Sequence, residues 1–307
     1  MSLMKFLNVL MYVFKSAGLN FLIILATIFS FNLAMGSFLL SDYTIYDSFN
    51  YLGNLLKFNY GDLNLSSKMS INSVFNQYFG FSLLLVTISF IFIFVLGFAL
   101  AYWMCKWTKN KFLTILNSFL IALSSIPIFI FGSFVLIFNK QIALPITYID
   151  TYYGSIAATA FSLLTPILAL VLFVLPLNIA INYPIIYKII FSDYYLWAKA
   201  NGMSNFKIFW AVLVRNWISH YLQNIIFIYI YLMTYAMVLE RFFYMPGQSF
   251  IFQYLKSAEY FLLLNYAILL NVVIIFVIKE ICLLAIYVLD EKRKYFQFWS
   301  GVFKWRK

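Results

Sequence analysis

Apolar residues fall in long blocks along this chain, and polar residues collect in the stretches between them. Six blocks stand out, at about 18–38, 81–104, 113–138, 157–182, 218–240 and 263–288. About 20 apolar residues in helix cross a hydrocarbon core of about 30 Å, and in lipid every backbone N–H and C=O must find its partner internally. The blocks therefore predict an all-α fold of six membrane-spanning helices, forming a single transmembrane domain over residues 1–307.

Charge gives the predicted bundle an orientation. Six spans put both termini on one side. Placing them in the cytoplasm leaves Lys5, Lys15, Lys106, Lys109, Lys111, Lys188, Lys199, Lys207, Arg215, Lys292, Arg293, Lys294, Lys304, Arg306 and Lys307 inside. Only Lys57, Lys68, Lys140, Arg241 and Lys256 then lie outside, as the enrichment of basic residues in cytoplasmic loops requires. The first block reads either as a span or as a cleaved leader ending near Ala34-Met35-Gly36; the apolar stretch from Leu19 is longer than a usual leader core. Segments 39–80 and 241–262 are too long for simple turns, and serve either to dock a partner or to cap helix ends.

Composition agrees and removes several classes. The chain is 64% hydrophobic and 10% charged with mean hydropathy +0.91, against about 25% charged in soluble domains. The net charge of +11 sits in short loops between apolar blocks and forms no nucleic-acid-binding stripe. Cys105 and Cys282 stand far apart, which supports neither a disulfide framework nor a zinc site, and the single His220 has no metal-ligand spacing around it. No Gly-x-x-x-x-Gly-Lys-Ser/Thr loop is present to cradle phosphates, so ATP and its magnesium have no P-loop site in this chain.

The most patterned polar stretch lies between the fourth and fifth blocks, at 193–212. Tyr194, Trp197 and Ala198 recur at i, i+3, i+4, and Phe206, Phe209, Trp210 and Leu213 recur at i, i+3, i+4, i+7. Two short amphipathic helices are expected, turning at Gly202, with Ser204 as N-cap of the second. From this pattern alone the pair rests on lipid or presents its turn to a partner.

Residues Asp193, Tyr194, Ala200, Asn201, Gly202, Met203 and Ser204, followed by Arg215-Asn216, resemble the coupling loop of ABC importer permeases, in the form found in B-type subunits of the oligopeptide and dipeptide (and nickel) permease family. Five further stretches match in order. They are Gly61-Asp62-Leu63 with Ser66, Ser125-Ile126-Pro127-Ile128-Phe129-Ile130-Phe131-Gly132, Pro166, Tyr244-Met245-Pro246-Gly247, and Val288-Leu289-Asp290. The chain departs from the family at Ser41-Asp42, where a Pro-Gly-Asp-Pro is usual, at Asn201 in place of lysine, and at Val212 in place of histidine.

The resemblance implies the type I ABC importer permease fold in a bacterial cell membrane. It also implies a second, homologous permease completing a heterodimer, two cytoplasmic ATPase subunits that bind ATP and magnesium, and an external solute-binding protein delivering peptide. The chain itself would then be no enzyme, and metal-chelate import is the alternative within the same family. Asp193, Trp197, Ala198, Gly202 and Ser204 are the expected ATPase-coupling residues. Lys279 and Glu280 lie inside the sixth block, where a charge costs about 2.5–3.5 kcal/mol. Neighbours on a helix point about 100° apart, so at least one faces a sister subunit or the aqueous path, unless Lys279 snorkels to the interface. An ion-coupled secondary transporter would show inverted repeats and midplane carboxylates, and a membrane enzyme clustered His or acidic residues; neither pattern is present.

Overall fold

The computed structural model describes residues 3–40, 42–64, 68–107, 111–253 and 260–289. Ser41, Ser66, Lys109, Lys256, Asp290 and the basic residues of 292–307 lie outside them. The chain is built from helices, in the order α1 (Leu3–Leu39), α2 (Ile45–Leu56), α3 (Ile71–Lys106), α4 (Lys111–Ser124), α5 (Ile128–Gln141), α6 (Ile156–Ile190), α7 (Asp193–Ala200), α8 (Asn205–Phe242) and α9 (Phe261–Leu289). Among the described residues one antiparallel hairpin departs from this, β1 (Asp62–Asn64) with β2 (Lys68–Ser70), in the register Asp62 opposite Ser70.

Five of these helices are long and apolar enough to cross a membrane. The third expected span takes another form. Residues 113–138 are divided between α4 and α5, each 14 residues and so about 21 Å long, short of the hydrocarbon core as single α-helices. The break falls at Ser125-Ile126-Pro127. Proline offers no N–H to the preceding turn and pushes the residue before it out of the helical region. Pro127 instead heads α5, its carbonyl accepting from the N–H groups of Ile130 and Phe131.

Helix α6 is the central post. It packs most extensively on α3, and also on α4, α5 and α8. Ser155 caps its start by accepting the Ala158 N–H at 3.2 Å, and Pro166, Pro176 and Pro184 lie within it. Its buried face includes Leu170, Val174, Ile179, Ile186 and the amides Asn178 and Asn182. At the periphery α1 runs against α9 and carries α2 across its end. The segment between α1 and α3 is ordered by its own chemistry: Thr44 and Asp47 cap α2, Tyr60 packs edge-on against Tyr266 of α9, and Gly61 turns at φ +86° beside Leu262. Ten residues of the expected external segment, 71–80, are instead the first turns of α3.

Candidate functional site

The loop that the sequence singles out is a short helix, a tight turn and the start of a long helix. Helix α7 follows Ser192, and at its end Gly202 takes φ +70°, a left-handed turn that glycine adopts without steric cost, with no side chain near its Cα. Ser204 then caps α8 by accepting the Lys207 N–H at 3.4 Å. No second short helix follows. From Asn205 the backbone is helical without interruption to Phe242, including a π-helical stretch from Ile208 to Val214 and a 3₁₀ turn at Leu222–Asn224.

That π-helical stretch decides which side chains anchor the loop. Its i→i+5 bonding places Ile208 and Leu213 on one face, and both are buried with Val214. The expected stripe is thereby split: Phe209 packs on Phe98 and Tyr102, whereas Phe206 is 75% exposed and Trp210 is also exposed. On α7 only Ala198, 2% exposed, belongs to the core, while Trp197 is 69% exposed with Tyr194 and Leu196 beside it. Asp193 opens α7 on the surface. The five coupling residues expected from sequence thus occupy one loop in distinct positions: Ala198 as anchor, Gly202 and Ser204 as turn and cap, Trp197 and Asp193 outward. Burial holds the Tyr195 phenol above its ordinary value, with Tyr102 nearby adding to it.

The buried side of the loop leads directly into the bundle. Trp217 and Tyr221, one turn apart on α8, are both buried and stack with ring centroids 5.1 Å apart. Trp217 lies 4.2 Å from the Phe98 ring, and Tyr221 lies edge-on to Phe94. The Trp217 indole N–H donates to Asn182 at 2.6 Å and the Tyr221 hydroxyl donates to Asn178 at 3.0 Å. The Asn178 amide in turn donates to the Ile93 carbonyl of α3 at 2.6 Å, where Gly97 leaves it room: a Cβ there would collide with the Asn178 amide. One packed column thus joins the start of α8 to α3 and α6. Sequence reasoning missed it, although two asparagines in an apolar span are a visible signal, because polar groups are costly there without a partner. Arg215 and Asn216 flank the column: Arg215 donates to the Leu289 carbonyl at the end of α9 at 3.3 Å, a cation at a helix C-terminus, and Asn216 bonds back to Val212.

A second polar cluster lies at the opposite end of α8. Glu240 is 1% exposed, and its carboxylate accepts from the Ser82 hydroxyl of α3 and from the Ser249 N–H at 3.1 Å. Ser82 also accepts the Gln248 N–H at 2.8 Å, and Asn271 of α9 donates to Gln248 at 3.0 Å. The Tyr244-Met245-Pro246-Gly247 turn is folded over this carboxylate, and a side chain at Gly247 would strike it. The first part of segment 241–262 is accordingly buried: Phe243, Met245, Gln248, Ser249 and Ile251 all face inward.

Lys279 and Glu280, half-buried on α9, both meet α1 of the same chain. Lys279 donates to Asn20 at 2.7 Å, and Glu280 accepts from Asn20 and from Ser16 at 2.6 Å. They act as a polar clamp between the first and last spans. Among the described residues no three His, Cys, Asp or Glu side chains gather as a metal site.

No curated protein sequence matches the chain. A family model does, described as the binding-protein-dependent transport system inner membrane component, over residues 93–294, more than half of the chain. The match takes in α6, the 193–204 loop, the aromatic column and Glu240 with the turn that follows it, so the chain belongs to this family of multi-pass permease subunits of ABC transporters, with their type I fold and no enzymatic chemistry of their own.

Proposed function

We propose that this chain is one of two pore-forming subunits of a peptide importer, that its 193–204 loop docks on a cytoplasmic ATPase, and that both of its termini are cytoplasmic. The observation that carries the docking is the division of labour within the loop. Ala198, Ile208 and Leu213 fasten it to the bundle, while Tyr194, Leu196, Trp197, Phe206 and Trp210 stand in the open. Large apolar side chains on a segment that also carries Lys199, Lys207 and Arg215 suit a protein surface better than water. Two ATPases closing on ATP and magnesium would draw this loop and that of a homologous partner permease together. The column from Phe209 to Asn178 would pass the motion to α3 and α6, rocking rigid helices between two states.

Peptide as substrate rests on the ordered B-type motifs; substrate would come from an external solute-binding protein. Gly202→Trp tests the docking against Gly202→Ala, which carries the same backbone strain at φ +70° with little bulk, nothing else crowding the position within the subunit: transport should be lost in the Trp variant and largely kept in the Ala variant, and equal transport in the two would refute the assignment. Substrate is tested by uptake into vesicles holding the complete transporter and its binding protein, offered labelled short peptides or chelated nickel. ATP-dependent uptake of peptides is the expected result, and uptake of the chelate alone would replace it with the metal-chelate reading.

A further inference from the structure

Between the loop and the ends of α3 and α6 lies a cavity of about 480 Å³. Its lining combines apolar surface, including Phe191 and Ile208, with Lys106, Lys199 and the phenols Tyr102 and Tyr195, and among the described residues includes no acidic side chain. Two cations and two hydroxyl donors beside an apolar wall form the complement of an anionic group attached to a hydrocarbon. Raised above its ordinary value by burial, the Tyr195 phenol stays protonated and able to donate at neutral pH.

The neighbours of the cavity favour a membrane ligand over a soluble one. It is lined by Tyr102, Cys105 and Lys106 at the end of α3, and there Trp103 and Trp107 stack with their centroids 6.5 Å apart, both exposed. Exposed tryptophans mark the headgroup level of a bilayer, where the indole has one side in lipid and one in water. Lys106, between them in sequence, is at that level.

We propose that this cavity binds the phosphate-bearing headgroup of an anionic phospholipid. Lys106 and Lys199 pair with the phosphate, Tyr102 and Tyr195 donate to its oxygens, and the first carbons of the acyl chains lie against Phe191 and Ile208. Such a ligand touches α3, α6, α7 and α8 at once and ties the loop to the spans it moves. Any difference in its affinity between the two states of the permease biases their equilibrium.

The test uses the full-length protein in detergent, loaded from mixed phosphatidylglycerol and phosphatidylcholine, with retained lipid counted by native mass spectrometry. Phosphatidylglycerol is expected to be retained preferentially. Lys106→Gln with Lys199→Gln should weaken that preference about 25-fold, taking about fivefold for each basic residue at an anionic surface. Both lysines are exposed, so the fold survives the change. Lys188→Gln with Lys207→Gln removes the same charge from neighbouring positions that do not line the cavity, and should leave the preference within about twofold. Equal losses in the two double variants, or none in the first, would overturn the site. A last arm adds millimolar inorganic phosphate to the wild-type protein. Undiminished lipid retention is expected; displacement by free phosphate would make this a soluble-phosphate site and end the lipid assignment.

Discussion

The two ends of α8 solve the same problem in opposite ways. Each must turn the chain at the edge of the membrane, and each uses a glycine. At the start, Gly202 stands clear of every neighbour and the loop around it turns Trp197, Phe206 and Trp210 outward. At the far end, Gly247 is pressed against Glu240, and Phe243, Met245, Gln248 and Ser249 turn inward. The second turn completes itself with groups of its own chain; the first leaves its large apolar side chains exposed. Stability should therefore be sensitive at one end, and coupling at the other.

The largest expected effect on stability is at the self-completed end. Glu240→Ala removes the acceptor shared by Ser82 and Ser249 and should destabilise the purified protein by about 2 kcal/mol, because two buried donors are left without a partner. Glu240→Gln keeps one acceptor oxygen and should lose less. Thermal unfolding of both variants measures this, and an Ala variant as stable as the wild type would show that the cluster is not what holds the turn.

Next comes the column joining the loop to the bundle. Asn178→Leu loses the bonds to Ile93 and Tyr221, and interhelical hydrogen bonds in membranes contribute about 0.6 kcal/mol each, so a loss of about 1.5 kcal/mol is expected once the misfit beside Gly97 is included. In the complete transporter the same variant should weaken the link between ATP hydrolysis and uptake, read as more ATP consumed per substrate moved. An unchanged ratio would exclude the column from transmission.

A smaller effect on stability is expected at the open end. Trp197→Ala removes an exposed ring and should change stability by less than about 0.5 kcal/mol. Binding of the partner ATPase should nevertheless fall, as seen in pull-down of the assembled complex. A destabilised Trp197 variant would place this ring in the core and dissolve the contrast between the two ends.

The slightest effect concerns pH. Asp47 accepts from the Thr44 hydroxyl at 2.7 Å and the Thr44 N–H at 2.9 Å, and these bonds hold its carboxyl below the ordinary value. A carboxyl lowered in the folded state stabilises above its unfolded value, near 4, and that contribution disappears as pH falls through the folded value. The protection of α2 amides against hydrogen exchange, corrected for the intrinsic dependence of exchange on pH, should fall below about pH 4 in the wild type. Asp47→Asn should remove that pH dependence, and an identical profile in the variant would show that the cap is not the cause.

Read from the amino acids alone, the all-α membrane fold was already decided, because blocks such as 157–182 and 263–288 have no soluble alternative and each satisfies its backbone within a single helix. The family was legible too, since its motifs are local: Gly202 with Ser204, or Pro246 with Gly247, keep their meaning whatever surrounds them. The division of the third block at Pro127 was written in the sequence but hidden by the apolar run that continues across it, since hydropathy measures transfer to lipid and is indifferent to a missing N–H.

Tertiary structure alone decided which faces are covered. Periodicity assigned Phe206 and Trp210 to one apolar stripe with Leu213, but a π-helical stretch changes the angle between them, and within it Ile208 and Leu213 are the residues that are covered, the stretch packing on α6 and α7. The Glu240 cluster draws on residues 82, 240, 248, 249 and 271, and Asn20 meets Lys279 and Glu280 across nearly the whole chain. A hydrogen bond depends on distance in space, and only folding brings groups so far apart in sequence within about 3 Å of one another.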